Sequence, residues 1–281
     1  MIAVLDPGVL TLVQDLGRPG WAHVGVGRSG AADAGSLRLG NRLVANDVGA
    51  AGLEVLLGGL RVRFARPTTV AVTGAPGPVW VDGTPVAHNA VLELAAGAEL
   101  RVGTSPVGLR SYVAVRGGID VPTVLGSRST DQLAGIGPPP LRAGDDLPVG
   151  PHPDEWPVVD LAPTGAWPTE TVLPVMAGPQ ADWFDDGLAV LAHGTFTVTS
   201  ATNRVALRLD GPAVVRRYDH ELPPAGLVPG AVQIPPDGRP VVFGVDHPVT
   251  GGYPVLAVVR GRALDRLGQV RPGERVRFVL G

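Results

Sequence analysis

The chain has 281 residues, with 26 Asp and Glu against 23 basic residues that are all Arg, for a formal net charge of −3. It contains no Cys and no Lys, which excludes a thiolate nucleophile, a disulfide, a Cys-ligated metal, a Schiff-base lysine and a Walker A lysine. The slightly acidic balance leaves no footprint for nucleic acid, and a charged fraction of 17% describes a lightly charged surface of the kind that a protein partner covers.

The length corresponds to one large or two ordinary domains at about 150 residues each. The start, Met1-Ile2-Ala3-Val4-Leu5-Asp6, has no basic stretch leading into an apolar one, so no signal peptide is read there. Apolar runs are broken by Gly, Pro or charge before about 18 residues, so no membrane span is expected and the cytoplasm is the expected compartment.

The 40 Gly and 29 Pro punctuate short Val- and Leu-rich runs, the strand-and-turn pattern of sandwiches and barrels. In chain order, Asp33 to about Ala45 places Leu37, Leu39, Leu43 and Val44 at helical spacing behind Asp33 as N-cap. Thr69 to Thr73 reads as a strand, and Val79 to Val86 as a hairpin around Asp82-Gly83. Glu99 to Val102 and Ser111 to Val115 are further strands. The Pro-rich stretch from about Pro151 to Pro174 has no period and reads as an inter-domain connection. Asp182 to about Ala192 predicts a second helix. Thr195 to Thr199 and Val205 to Leu209 alternate with period two. Val241 to Val245 is a continuous apolar run of buried-strand type, followed by Val255 to Val259, a short helical turn at Arg262 to Gly268 and a last strand at Arg275 to Leu280. The expectation is a mainly β fold of two β-barrel-like halves with a few short helices, as domains 1–155 and 170–281.

Two segments resemble each other: Arg142-Ala143-Gly144-Asp145 and Arg271-Pro272-Gly273-Glu274, with Ala96-Gly97-Ala98-Glu99 of similar look. They are either traces of related halves or independent turns entering strands.

Four segments carry candidate chemistry. Gly25 to Asp33 is a Gly-rich loop with Arg28 and Ser29 running into a helix start; it reads as an anion cradle or as a loop capped by Asp33. Leu125 to Asp131 packs Ser127, Arg128, Ser129 and Thr130 together, with Arg110, Ser111 and Tyr112 on an earlier strand. No His stands within this stretch to activate a Ser, so it reads as an anion or amide site, or as a turn stitched by hydroxyls. Asp246 to Pro254 contains Thr250-Gly251-Gly252-Tyr253, where paired glycines allow close approach and Asp246 is a candidate acid or base. Arg204 and Arg208 share a face if extended, lining a groove or facing solvent. The six His are scattered singly, so no metal site is expected.

Taken in order, these segments resemble the family of the C-type subunit of 5-oxoprolinase, also known as KipA-type or allophanate hydrolase subunit 2 domains. The matching strings include Gln14-Asp15-Leu16-Gly17-Arg18-Pro19-Gly20, Arg28-Ser29-Gly30-Ala31-Ala32-Asp33, Asn41-Arg42-Leu43-Val44-Ala45-Asn46 and Leu53-Glu54. They continue through Ser111-Tyr112-Val113-Ala114-Val115-Arg116-Gly117-Gly118, Leu125-Gly126-Ser127-Arg128-Ser129-Thr130, Gly178-Pro179-Gln180, Asn203-Arg204, Gln233-Ile234-Pro235 and Thr250-Gly251-Gly252-Tyr253-Pro254. The resemblance runs from about residue 3 to 280. Departures fall at Ala32, at Pro224-Ala225-Gly226, where the family carries a carboxylate, and at Pro248-Val249, where two polar groups are missing.

The resemblance implies cyclophilin-like barrel character and a role as one component of an ATP-dependent enzyme opening 5-oxo-L-proline to L-glutamate. The implied partners are the other two components of that enzyme, a KipI-type (B-type) subunit plus an A-type subunit, with ATP used by the assembled complex at a site on or shared with a partner. The alternatives are a biotin-dependent carboxyltransferase component, as in urea carboxylase, and a non-catalytic regulator that binds a KipI-type protein. The implied catalytic residues are Arg128, Asp246 and Tyr253. The implied substrate-binding residues are Arg28, Ser29, Asp33, Arg110, Tyr112, Ser129, Thr130, Asn203, Arg204, Gln233, Thr250, Gly251 and Gly252.

Overall fold

A computed structural model describes residues 1–220 and 222–281. The chain divides into two compact units. The first comprises Met1–Arg18, Ser29–Asp131 and Gly135–Trp167; the second comprises Pro19–Arg28, Gln132–Ala134 and Pro168–Gly281.

The first unit is built from β1 (Ile2–Pro7), β2 (Leu10–Gln14), α1 (Ala34–Leu43), β3 (Gly52–Leu56), β4 (Leu60–Phe64), β5 (Thr68–Gly74), β6 (Val79–Val81), β7 (Thr84–Val86), β8 (Leu92–Leu94), β9 (Glu99–Val102), β10 (Arg110–Val115) and β11 (Asp146–Leu147). These form two sheets, in the orders β11-β1-β4-β9-β6-β7 and β2-β3-β10-β5-β8. Period-two patterning sets the faces: in β4, Leu60, Val62 and Phe64 are buried while Arg61 and Arg63 face out. The inward residues of both sheets share one core, each large side chain contributing about 1.5–3 kcal/mol on burial.

Two elements position expected site residues of this unit. Strand β10 is central, paired to β3 and β5, and buried along its whole length, so Arg110, Ser111 and Tyr112 are interior groups. Helix α1 begins where Asp33 accepts from the Ser36 N–H at 2.9 Å, as the N-cap pattern predicts. It lies close on the sheet because Gly40 faces Ala114; a Cβ there would stand 3.0 Å from the Ala114 Cβ. The hairpin around Asp82-Gly83 also forms as predicted, as β6 and β7.

Residues 151–167 do not behave as a free connector. Arg116, 1% exposed, reaches the carbonyls of Val44, Pro153 and Glu155 and stacks on Trp156 at 4.4 Å. Leu161 bridges to Ala90. A buried guanidinium needs acceptors, and this segment supplies backbone carbonyls to it.

The second unit contains β12 (Thr171–Ala177), α2 (Gly187–His193), β13 (Phe196–Val198), β14 (Ala206–Asp210), β15 (Ala225–Gly226), β16 (Ala231–Gln233), β17 (Val241–Phe243), β18 (Thr250–Gly251), β19 (Val255–Val259), α3 (Ala263–Leu267) and β20 (Arg275–Leu280). A closed barrel runs β12-β19-β16-β17-β14-β13-β20, sealed by parallel pairing of β12 with β20. Its core includes the edge-to-face pair Phe196 and Phe278, 5.6 Å between centroids. Strands β15 and β18 form a separate two-stranded ribbon. The helix expected from Asp182 starts later: Ala181–Trp183 is a 3₁₀ turn, and Asp186 precedes α2.

The mainly β expectation holds, with the barrel realised in the second unit and the two-sheet arrangement in the first. The similar Arg-x-Gly-acid strings are the same local turn. In both, the acid N–H returns to the Arg carbonyl, the Arg N–H donates to the acid side chain, and the Gly takes a positive φ (93° at Gly144, 87° at Gly273). No helix among the described residues is long and apolar enough to cross a membrane.

Candidate functional site

Of the expected site residues, the first unit holds Ser29, Asp33, Arg110, Tyr112, Arg128, Ser129 and Thr130. Most of them are occupied with each other's neighbours. Glu54, opposite Tyr112 in the β3–β10 pairing, is 3% exposed. It accepts from the Tyr112 hydroxyl at 2.8 Å, the Ala32 N–H at 2.9 Å and Arg110 Nε at 3.2 Å. The Tyr112 oxygen in turn accepts from the Asp33 N–H at 2.8 Å. Burial, and then the charges of Glu54 and Asp33, push the Tyr112 phenol well above its ordinary range, so it stays a neutral donor.

A second hub is Asp15. Its carboxylate accepts from the hydroxyls of Ser127 (2.6 Å) and Ser129 (2.5 Å), the Arg128 N–H (2.6 Å) and the Gly17 N–H (2.8 Å). Arg18, 1% exposed, donates to the carbonyls of Val124 and Ser129. Thr130 donates to the Pro138 carbonyl and Ser29 to the Thr130 carbonyl. Leu125 and Gly126, both at positive φ, make the tight turn between Val124 and Ser127 that presents these hydroxyls inward. The Ser/Thr cluster is therefore a turn stitched around a buried carboxylate. Arg128, expected to be catalytic, pairs with Asp120 at 2.5 Å and donates to the Val121 carbonyl at 2.8 Å.

The second unit holds Arg28, Asn203, Arg204, Gln233, Asp246, Thr250, Gly251, Gly252 and Tyr253. Arg28 is exposed. The expected Arg204/Arg208 stripe is not present: Arg208 faces out on β14, whereas Arg204 precedes the strand and turns inward. Arg204 grips Asp246 with Nε to Oδ2 at 2.7 Å and Nη2 to Oδ1 at 3.0 Å, and Asp246 also accepts from the Gln132 N–H at 3.4 Å. Asp246 is 1% exposed, and both of its oxygens accept from Arg204. Asn203 caps the entry to β14 by accepting from the N–H groups of Val205 and Ala206.

Open space lies elsewhere in this unit. A cavity of about 820 Å³ is lined by Trp183, Arg216, Asp219, His220, Asp237 and Tyr253, among others. Trp183 packs against His220 at 4.6 Å and Tyr218 at 5.5 Å. The Arg216 guanidinium lies 5.4 Å from the Tyr253 ring and donates from Nε and Nη2 to the Ile234 carbonyl. Burial lowers its pKa, against the opposing pull of Tyr253, Asp237 and Asp219, and a guanidinium so placed remains a cation at neutral pH. A second cavity of about 40 Å³ is lined by Gln180, Gln233, Gly251 and Tyr253. Leu222 and Tyr253 line both, so the two adjoin. Ribbon residues Ala225, Gly226 and Gly251 wall the smaller one.

Sequence reasoning placed Gln233, Gly251, Gly252 and Tyr253 here, and missed Trp183, Arg216 and His220. Trp183 reads as helical core, and the segment from Gly211 to His220 has no period to mark it. Gln180 is part of a matching string but was given no role. Among the described residues, no group of three or more His, Asp or Glu is placed to hold a metal ion.

The family described as "Carboxyltransferase domain, subdomain A and B" matches residues 24–280. The chain is 36% identical to the C-type subunit of Escherichia coli 5-oxoprolinase, over 99% of this chain and 91% of that one. A solved structure of the protein TTHA0988 superposes with a TM-score of 0.91 at 36% identity, covering 99% of this chain and 55% of that one. The urea carboxylase of Kluyveromyces lactis superposes with a TM-score of 0.92 at 32% identity. This chain covers 99% of itself there but spans 27% of the urea carboxylase chain, and so corresponds to a part of that larger protein.

Proposed function

The chain belongs to the family of the carboxyltransferase domain, subdomains A and B, and from that premise we propose that it is the C-type subunit of a 5-oxoprolinase. In this reading it works in the cytoplasm with a KipI-type (B-type) subunit plus an A-type subunit, which together open 5-oxo-L-proline to L-glutamate with use of ATP. The observation that carries the reading is the 36% identity to a 5-oxoprolinase component over 99% of this chain and 91% of that one.

The chemistry of the second unit supports it. Opening a lactam requires the ring amide to be held while its carbonyl carbon is attacked and its C–N bond breaks. The cavities supply amide side chains, an aromatic wall and one guanidinium for such a molecule. They suit ATP less well: among the described residues Arg216 shares the larger cavity with Asp219 and Asp237, and a guanidinium beside two carboxylates does not match a triphosphate. The reading therefore assigns the lactam to this chain and ATP to one of its partners. Tyr253 lines both cavities, which supports its reading as a substrate contact.

The test is reconstitution. With the A-type and B-type partners and ATP, glutamate release from 5-oxoproline is expected to require this chain. Undiminished release without it overturns the reading. The likeness to urea carboxylase favours one alternative, a carboxyltransferase acting with a biotinylated carrier; turnover that depends on such a carrier selects that alternative instead.

A further inference from the structure

Two glutamines of the second unit have their amide orientations set by backbone partners. Gln180 Oε1 accepts from the Val255 N–H at 3.0 Å, and Gln233 Nε2 donates to the Tyr253 carbonyl at 2.8 Å. A backbone N–H only donates and a carbonyl only accepts, so neither amide can be flipped. What remains includes the Gln180 NH₂ as a donor and the Gln233 amide oxygen as an acceptor, with the second N–H of Gln233 beside it. Among the described residues neither amide has another partner. Both side chains line the cavity of about 40 Å³, and Gln233 is 3% exposed. That space holds a group the size of an amide or a few waters.

A donor and an acceptor lining one small cavity suit a cis amide, which presents its C=O and N–H on one edge. A ring forces that geometry, whereas a peptide in its usual trans form places the two groups on opposite edges. Past Tyr253, Arg216 spends Nε and Nη2 on the Ile234 carbonyl, and its Nη1 has no partner among the described residues. Asp219 and Asp237 on the same cavity limit it to a ligand of low negative charge.

We propose that the two adjoining cavities form one site for a small lactam bearing a carboxylate, its ring amide read by Gln180 and Gln233 and its carboxylate by Arg216. The proposal rests on the 5-oxoprolinase reading and names where, within this chain, that substrate is held. Gly251 is part of the construction: a Cβ there would stand 2.7 Å from Gln233 Nε2 and 2.8 Å from the Leu227 side chain. Gly251→Ala therefore pushes the reading amide aside.

The experiment is calorimetric titration of the full chain, alone and assembled with its A-type and B-type partners. The ligands are 5-oxoproline, N-methyl-5-oxoproline (no ring N–H), proline (no ring carbonyl) and 2-pyrrolidinone (no carboxylate). 5-Oxoproline is expected to bind, and each analogue to bind at least about tenfold more weakly, because each leaves a buried polar group unpaired. Arg216→Met is expected to weaken 5-oxoproline about tenfold while leaving 2-pyrrolidinone unchanged. Gly251→Ala, with its circular dichroism unaltered, is expected to weaken both. Equal binding of the N-methyl analogue, or no binding of 5-oxoproline to chain or complex, overturns the proposal. If glutamate release still requires the chain in that event, the 5-oxoprolinase reading stands and the site assignment alone falls. Binding of urea in place of 5-oxoproline overturns both.

Discussion

The carboxylate hubs of the first unit and the amides of the second use their hydrogen-bonding atoms differently. In the first, Glu54 and Asp15 sit below the surface and are ringed by donors from Tyr112, Arg110, Ala32, Ser127, Ser129, Arg128 and Gly17. In the second, the Arg204–Asp246 pair is closed in the same manner, yet the neighbouring Gln180, Gln233 and Arg216 keep hydrogen-bonding atoms that no described residue uses. Closed hubs stabilise a fold, because each buried charge has its partners. Unused capacity beside open space is taken up by water or by a ligand, and the proposed lactam site draws on that capacity in the second unit. Arg, Ser and Asp look alike as candidates in a sequence; what separates scaffold from site is whether their partners lie within the chain.

The largest effect that would sharpen this contrast comes from Glu54→Ala. It removes the shared acceptor of Arg110, Tyr112 and the Ala32 N–H, leaving a buried guanidinium without this counter-charge. The expected loss is about 3–5 kcal/mol in urea unfolding. Arg216→Met in the second unit is expected to cost about 1 kcal/mol or less, since it forfeits only part-buried hydrogen bonds to a single carbonyl. Similar costs for the two variants would erase the distinction between scaffold and site.

Tyr112→Phe is the intermediate case. It deletes one donor to Glu54 and orphans the Asp33 N–H, for an expected loss of about 1–3 kcal/mol. It also carries a pH signature. The folded-state phenol titrates well above its ordinary 10.0, so the unfolded chain releases that proton first as pH rises. Wild-type stability should thus be intact below pH 10.0 and decline above it. The decline should be shallower in the Phe variant; identical alkaline limbs would mean that Tyr112 is not held neutral.

Local signals made much of the fold legible. Asp33 before a 3.6-residue apolar period placed α1, Asp82-Gly83 placed the β6–β7 hairpin, and alternation placed β13 and β14. The sites were legible in type but not in role, because the deciding partners are remote. Asp15 meets Ser127 and Ser129 across 112 and 114 residues, Arg204 meets Asp246 across 42, and Gln180 meets the backbone of Val255 across 75. Neither periodicity nor turn chemistry reports such pairings. Arg216 and His220 lie in a stretch without regular structure, where no pattern singles out one polar residue over its neighbours.

The smallest effect falls at His88, between β7 and β8 in the first unit. Neither ring nitrogen makes a hydrogen bond to the described residues. Burial lowers its pKa below the ordinary 6.5, with partial relief from the nearby carbonyls of Thr73 and Ala75 and the Asn89 side chain. His88 is thus neutral in the fold while the unfolded chain takes up a proton near pH 6.5. Between the folded and unfolded values the unfolded state binds more protons, so stability rises with pH; it is whole above pH 6.5 and falls on acidification below it. His88→Gln keeps a polar side chain of similar reach but cannot titrate. The difference between wild-type and variant urea midpoints, followed from pH 8 to pH 5 (about one and a half pH units either side of the ordinary value), is expected to change below pH 6.5. A difference that stays flat across the range would mean the imidazole is as easily protonated in the fold as outside it.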